Sequence, residues 1–316
     1  MSSAAAFRNL YPSRWKLRPL PYLQPRTNLS FLPARSILVT EQIEHVREAV
    51  SAARHKGSRV GLVPTMGALH AGHVSLIEAA RRECDLVVVS LFVNPTQFGP
   101  SEDFTKYPRT WEADLAICRA AEVDLLFKPL PETVYPDRFR TFVEVQGLSD
   151  VLEGKFRPGH FRGVATVVLK LLNIVAPDAA YFGQKDFQQQ LIIRRMCEDL
   201  NLPCDIRVCP TVREPDGLAL SSRNVYLSPQ ERRSALALSR CLHAAERLLQ
   251  DGETDLERVR EQMWKILRET PLVTPEYATV VHPETLEEVR IATLPLVAVV
   301  AARVGKTRLI DNLRIG

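Results

Sequence analysis

No run of about 20 consecutive apolar residues, the length a membrane-spanning helix needs, occurs in the 316-residue chain. The six cysteines (Cys84, Cys118, Cys197, Cys204, Cys209, Cys241) include no Cys-x-x-Cys pair. Most sit among apolar neighbours, where a thiol behaves as a small hydrophobe. They read as reduced thiols of an intracellular protein, with neither a zinc site nor a disulfide framework. Gly-x-Gly-x-x-Gly is missing, which excludes the dinucleotide fingerprint. Acidic residues are missing from positions 1–40, which hold six basic ones: Arg8, Arg14, Lys16, Arg18, Arg26 and Arg35. Setting those aside leaves 35 basic against 37 acidic residues, so the overall charge of +4 belongs to the leader. A folded part without a basic excess argues against a nucleic-acid partner. The 46% hydrophobic and 25% charged residues are those of an average soluble globular protein.

What is present falls into three stretches. Residues 1–35 carry five prolines (Pro12, Pro19, Pro21, Pro25, Pro33) and no sustained periodicity. They read as a disordered basic extension, or as a translation start assigned too far upstream. An Arg-rich, acid-free leader also fits an organellar transit peptide, although prolines this frequent interrupt the amphipathic helix such a peptide forms. The location is therefore read as cytoplasmic, with an organelle as the alternative.

Residues 36–211 alternate strand and helix. Thr40 is expected to cap a helix over 41–54, and 59–63 reads as a strand followed by a helix over 72–82. Asp85–Val93 is an apolar run suited to a strand buried on both faces. Further helices are expected over 110–121, 161–175 and 187–200, and strands over 123–127, 179–182 and 204–208. This alternation predicts an α/β fold, a doubly wound (Rossmann-like) parallel sheet. Residues 212–316 read as a smaller α+β domain, with Ser228-Pro229 opening a helix to about 250, a second helix over 255–269, and strands at 277–282, 296–303 and 307–309.

The strongest chemical signal is Gly61-Leu-Val-Pro-Thr-Met-Gly-Ala-Leu-His70-Ala-Gly72-His73, which joins a strand to a helix. Doubly wound folds place phosphates at that edge. His70 and His73, three apart, lie on one side of the first turn, and Gly67 and Gly72 leave room for a phosphate. Imidazole donors and free helix N–H groups there would stabilise charge on a transferring phosphoryl group. A second strand-to-helix junction, Phe182-Gly183-Gln184-Lys185-Asp186 continuing to Gln189, offers a cation for phosphate, a carboxylate for a ribose hydroxyl or a helix cap, and an amide for substrate. Leu220-Ser221-Ser222-Arg223-Asn224 suits triphosphate recognition, and Arg157-Pro-Gly-His160 reads as an anion-binding turn. Asn94 and Gln97, in Phe-Val-Asn-Pro-Thr-Gln-Phe, are neutral groups suited to hydroxyls and a carboxylate. Val304-Gly-Lys-Thr307 ends like a P-loop, but position 300 is Val where that pattern requires Gly, and a strand follows it.

Taken in order, PTMGALHAGH, FVNPTQF, YPRT, RPGHF, FGQKD, PTVRE, LSSRN and GKTRLIDN resemble the pantoate–β-alanine ligase family, within the HxGH nucleotidyltransferases, over about 36–316. The resemblance implies ATP and Mg²⁺, with (R)-pantoate activated as an adenylate and then captured by β-alanine, in a homodimer. It implies that Met66, Gly67, Ala68, Leu69, His70, Ala71, Gly72 and His73 form the ATP loop, with His73 a proton donor and His70 its phosphate-binding partner. Gly183, Gln184, Lys185 and Asp186 would hold nucleotide, Lys185 on phosphate. Val212 would meet adenine, and Leu220, Ser221, Ser222 and Arg223 would close over the triphosphate from a lid domain. Gln97 and Gln189 would hold pantoate, Gln97 also facing β-alanine. Arg157 and His160 are further members, and Asp114 is the candidate metal ligand. Relatives often carry acids at the positions of Ala71 and Gln184.

Three rivals make different demands. A nucleotidyltransferase for a phosphate-bearing acceptor would need additional basic groups, whereas Asn94, Gln97 and Gln189 are neutral. An inert nucleotide-binding module would lack a histidine or Lys185. A protein recruited to RNA through the leader would lose salt-sensitive binding without residues 1–35.

Overall fold

A computed structural model describes residues 36–100 and 102–316. The leader read over 1–35 therefore lies outside the described residues. Six parallel strands form the first sheet: β1 (Leu38–Thr40), β2 (Val60–Thr65), β3 (Leu86–Leu91), β4 (Leu125–Phe127), β5 (Ala179–Gly183) and β6 (Asp205–Cys209), in the order β1-β4-β3-β2-β5-β6. The helices are α1 (Ile43–Arg54), α2 (Ala71–Glu83), α3 (Trp111–Ala120), the single turns α4 (Pro131–Val134) and α5 (Glu153–Phe156), α6 (His160–Val175) and α7 (Phe187–Asp199).

The apolar run in β3 shows why the sheet needs helices on both sides. Val88 packs into one cluster with α1, α6 and α7, while its neighbours Val87 and Val89 pack into another with α2 and α3. A strand whose successive side chains point to opposite faces must be apolar at every position when both faces are covered. Strand order reverses between β2 and β5, which lie side by side. The loops leaving their carboxyl ends therefore open into one crevice, the usual ligand position of such sheets. Those loops carry His70 and Lys185.

The remaining chain forms α8 (Pro229–Gln250), α9 (Leu256–Arg268) and a three-stranded antiparallel sheet of β7 (Val273–Val281), β8 (Leu296–Val304) and β9 (Thr307–Ile315). Ser228 and Glu231 form a reciprocal capping box at the start of α8, with Pro229 at the first helical position. In β8, Ala298, Val300 and Ala302 face α8 and α9, while Val297 and Val299 pack with Phe187 and Leu191 of α7. This second face seats the small sheet on the helix that follows the Lys185 loop. Val304 and Thr307 flank a tight β8–β9 hairpin, the geometry expected of a sequence that only ends like a P-loop.

Several elements differ from expectation. Thr40 ends β1 instead of capping α1; its Oγ1 accepts from the Gln42 N–H (3.0 Å), and the helix begins at Ile43. Strand β1 itself was not anticipated, nor were the single turns α4 and α5. Strand β9 runs to Ile315, well past the expected 309.

Candidate functional site

The loop between β2 and α2 is held from below. Gly67 (φ +81°) and Ala68 (φ +50°) are both left-handed, a conformation that costs a non-glycine residue about 1–2 kcal/mol. Buried Asp114 at the start of α3 offsets that cost. Its carboxylate accepts from the N–H groups of Ala68 (3.0 Å) and Leu69 (2.8 Å) and from the Thr110 hydroxyl (3.1 Å). Asp114 thus anchors the loop and does not line the cleft. Among the described residues, no cluster of three or more histidines, cysteines or carboxylates forms a metal cage.

His70 is the N-cap of α2 and His73 its third residue, with ring centroids 4.1 Å apart. The Nδ1 of His70 accepts from the Gly72 N–H (3.1 Å), and the Nδ1 of His73 accepts from the His70 N–H (3.2 Å). An imidazole that accepts at Nδ1 carries its proton on Nε2. Both rings are neutral. Burial, then Lys185, push His70 down to about 4; burial, then His70, push His73 to about 3. The pair therefore offers two N–H donors without fixed charge. A Cβ at position 72 would stand 2.9 Å from the His70 ring, so the glycine also makes room for the imidazole.

Across the switch point, Lys185 and Asp186 lie between β5 and α7, with Nζ 3.4 Å from the Asp186 carboxylate. Burial works against that carboxylate's charge, but Lys185 keeps it below the ordinary range. The Ser-Ser-Arg segment comes over from the far side. Ser221 Oγ caps a short helical turn, Ser222 Oγ donates to the carbonyl of Ala68 (3.1 Å), and Arg223 forms a two-bonded pair with Asp103 (2.9 Å each). Arg223 must exchange Asp103 for phosphate if it is to hold a triphosphate.

A neutral compartment adjoins these groups. Asn94 Nδ2 donates to Gln97 Oε1 (3.1 Å) and to the Gly163 carbonyl (3.1 Å), and Tyr135 donates to Asn94 Oδ1 (2.8 Å). Fixing the Gln97 oxygen leaves its amide nitrogen aimed at Met66 Sδ, 2.9 Å away. Arg157 and His160 hold this turn through its backbone. His160 donates through Nδ1 to the Gln97 carbonyl (2.8 Å) and accepts at Nε2 from Arg157 (3.0 Å). Arg157 in turn grips Glu102 with two bonds of 2.7 Å. Burial, then Arg157, push His160 to about 4, so it too is neutral.

One cleft of about 810 Å³ collects most of the expected residues: Met66, His70, Gly72, His73, Gln97, Arg157, His160, Gly183, Lys185, Asp186, Gln189, Val212 and the 220–223 segment. Gly67, Ala68, Leu69, Ala71 and Gln184 belong to the same loops but do not line it. Glu102 and Asp103, which hold the two cleft arginines, escaped the sequence reading. Their partners are 55 and 120 residues away, and nothing local marks them.

The three neutral imidazoles set an acid limit on stability. In the unfolded chain each titrates near 6.5, so below that pH the unfolded state takes up protons the folded state refuses. Stability is expected to fall from pH 6.5 toward about 4, a window in which most carboxylates remain ionised. Urea midpoints at pH 7 and pH 5 check this; equal midpoints would contradict it.

The family model described as Pantoate-beta-alanine ligase matches residues 38–314. Pantothenate synthetase of Thermodesulfovibrio yellowstonii is 54% identical over 269 residues, covering 85% of this chain and 96% of that protein. The Moorella thermoacetica enzyme is 52% identical over 273 residues, covering 86% and 96%. Among solved structures, pantothenate synthetase from Thermus thermophilus superposes with a TM-score of 0.84 at 47% identity, covering 88% of this chain and 99% of that one. Pantoate-beta-alanine ligase from Francisella tularensis, complexed with beta-gamma ATP and beta-alanine, gives 0.74 at 35% identity, covering 88% and 98%. With paired imidazoles, a lysine and a neutral amide pocket in one crevice, and likeness along nearly its whole described length, the chain belongs to the pantoate–β-alanine ligase family.

Proposed function

We propose that this cleft carries out an ATP-dependent condensation of (R)-pantoate with β-alanine, yielding pantothenate, AMP and pyrophosphate in two steps. A carboxylate resists attack by an amine at neutral pH, because its hydroxide-like leaving group is poor. The pantoate carboxylate first attacks the α-phosphorus of ATP and pyrophosphate departs. The β-alanine amine then attacks the acyl carbon of the mixed anhydride, and AMP leaves. The observation that carries this reading is the adjacency of two unlike compartments. One has neutral Nε2–H donors and Lys185, suited to charge building on phosphate oxygens. The other has the neutral amide of Gln97, oriented by Asn94 and suited to hydroxyls and a carboxylate.

In this reading His70, His73 and Lys185 face the phosphates, Ser221, Ser222 and Arg223 close over them, Val212 meets adenine, and Gln97 and Gln189 hold pantoate. Catalysis is then chiefly positioning and charge stabilisation. Mg²⁺ would add charge neutralisation on the triphosphate. Mg²⁺ ordinarily takes one or two carboxylates beside phosphates and water. Asp114, committed to the histidine-loop N–H groups, does not line the cleft, whereas Asp103 and Asp186 do and would be the residues to hold it. The reading includes a 212–316 lid domain and a homodimer; light scattering tests the latter.

Pyrophosphate release that requires both ATP and pantoate, with AMP release accelerated by β-alanine, tests the reaction; release indifferent to pantoate refutes it. Gln97→Ala should raise the KM for pantoate about tenfold, the loss of one hydrogen bond to a charged group, with little change for ATP. Equal changes for both substrates would show the pantoate pocket to be misplaced.

A further inference from the structure

We infer that Asp311 and Asn312, on β9, are a positioning pair that sets the spacing between the two nucleotide-holding loops, an inference that rests on the function proposed above. Both are almost completely buried, at 4% and 3% exposure, although neither belongs to an apolar core. The Asn312 side chain reaches the Lys185 loop. Its Nδ2 donates to the backbone carbonyls of Gln184 (3.0 Å) and Lys185 (2.7 Å), and its Oδ1 accepts from Gln184 Nε2 (3.3 Å). Asp311 reaches the other loop. Its carboxylate takes two bonds from Arg213 (2.6 and 2.9 Å), the residue after Val212, and another from the Asn312 N–H (2.8 Å). Arg213 closes the circuit by donating to the Asn312 carbonyl (3.2 Å).

Two peptide planes of the Lys185 loop are thus held by one side-chain amide, and the Val212 loop is held by the adjacent carboxylate. Buried carbonyls deprived of their donor are costly, so the loop has a single favoured conformation while Asn312 is present. Its chemistry is directional. An oxygen in place of Nδ2 would face two carbonyl oxygens and push the loop away.

The test uses the full chain with Asn312→Ala and Asn312→Asp, measuring kcat, the KM values for ATP and pantoate, and thermal midpoints. Asn312→Ala should raise the KM for ATP about tenfold, and Asn312→Asp more, although aspartate fills the same volume. The pantoate KM should move less than about twofold in both. Asn312→Ser, which keeps a shorter donor, should lie between wild type and alanine, and it serves if the alanine variant does not fold. An unchanged ATP KM, ATP and pantoate KM values rising in step, or an aspartate variant milder than alanine overturns the inference. A wild-type chain without pantoate-dependent pyrophosphate release would instead refute the function on which it rests.

Discussion

His73→Ala is expected to slow pantoate-dependent pyrophosphate release by about 10²–10³-fold, the usual cost of deleting one preorganised donor to developing charge. The structure explains why this ring should matter so much. Its Nδ1 is occupied by the His70 N–H at 3.2 Å, which fixes both the tautomer and the ring plane. Burial and the neighbouring imidazole keep it neutral near pH 7, with the proton on Nε2. Alanine also removes a helix-capping contact, worth about 1 kcal/mol. His73→Asn separates the two effects, because a shorter amide oxygen can still accept from the His70 N–H without reaching the phosphate. The rate should stay low in both variants while the asparagine recovers stability. A near-normal single-turnover rate in His73→Ala would remove the histidine from the mechanism.

Gly163→Ala should be strongly damaging although the added methyl touches no substrate. A Cβ there would lie 2.3 Å from the carbonyl oxygen of Thr96 and 2.7 Å from the Gln97 nitrogen, and both are backbone atoms. Helix α6 meets the Asn94–Phe98 turn at that point, and the Gly163 carbonyl accepts from Asn94. A flexible side chain could step aside; a turn held by His160, Arg157 and Tyr135 can do so only by breaking those bonds. A loss of about 3 kcal/mol is expected, which for a chain of this size lowers the melting temperature by about 5 °C. The surviving folded protein should show a raised KM for pantoate and a nearly normal one for ATP, since the displaced turn carries Gln97 and not the histidines. An unchanged melting temperature would mean that α6 can slide away from the turn at little cost.

How legible this protein is depends on the range of the interaction. The βα alternation could be read because β2 and β3 are apolar at nearly every position and the helices keep one apolar stripe, both patterns complete within a dozen residues. The histidine pair and the Gln184-Lys-Asp block could be read because each is contiguous and sits where a strand yields to a helix. Thr40 was misread for a related reason. A threonine ahead of a helical stripe signals a cap, but the same hydroxyl can close a turn at a strand's end, and nothing local separates the two uses. Strand β1 was missed because three residues, two of them exposed, carry too little periodicity. Strand β9 appeared short because Asp311 and Asn312 interrupt its apolar alternation, although both are buried.

By itself the chain's order of residues determined five of the six strands of the parallel sheet, the long helices around it, the reaction family and the loops that line the cleft, since these follow from periodicity and from motifs a few residues long. Only the tertiary structure decided which charges pair. It placed Glu102 behind Arg157, Asp103 on Arg223, Asp114 beneath the histidine loop and Asn312 against the lysine loop. Each of these is a bond between groups at least 45 residues apart. Such bonds require geometry at the ångström scale, and that exists only once the whole chain has packed.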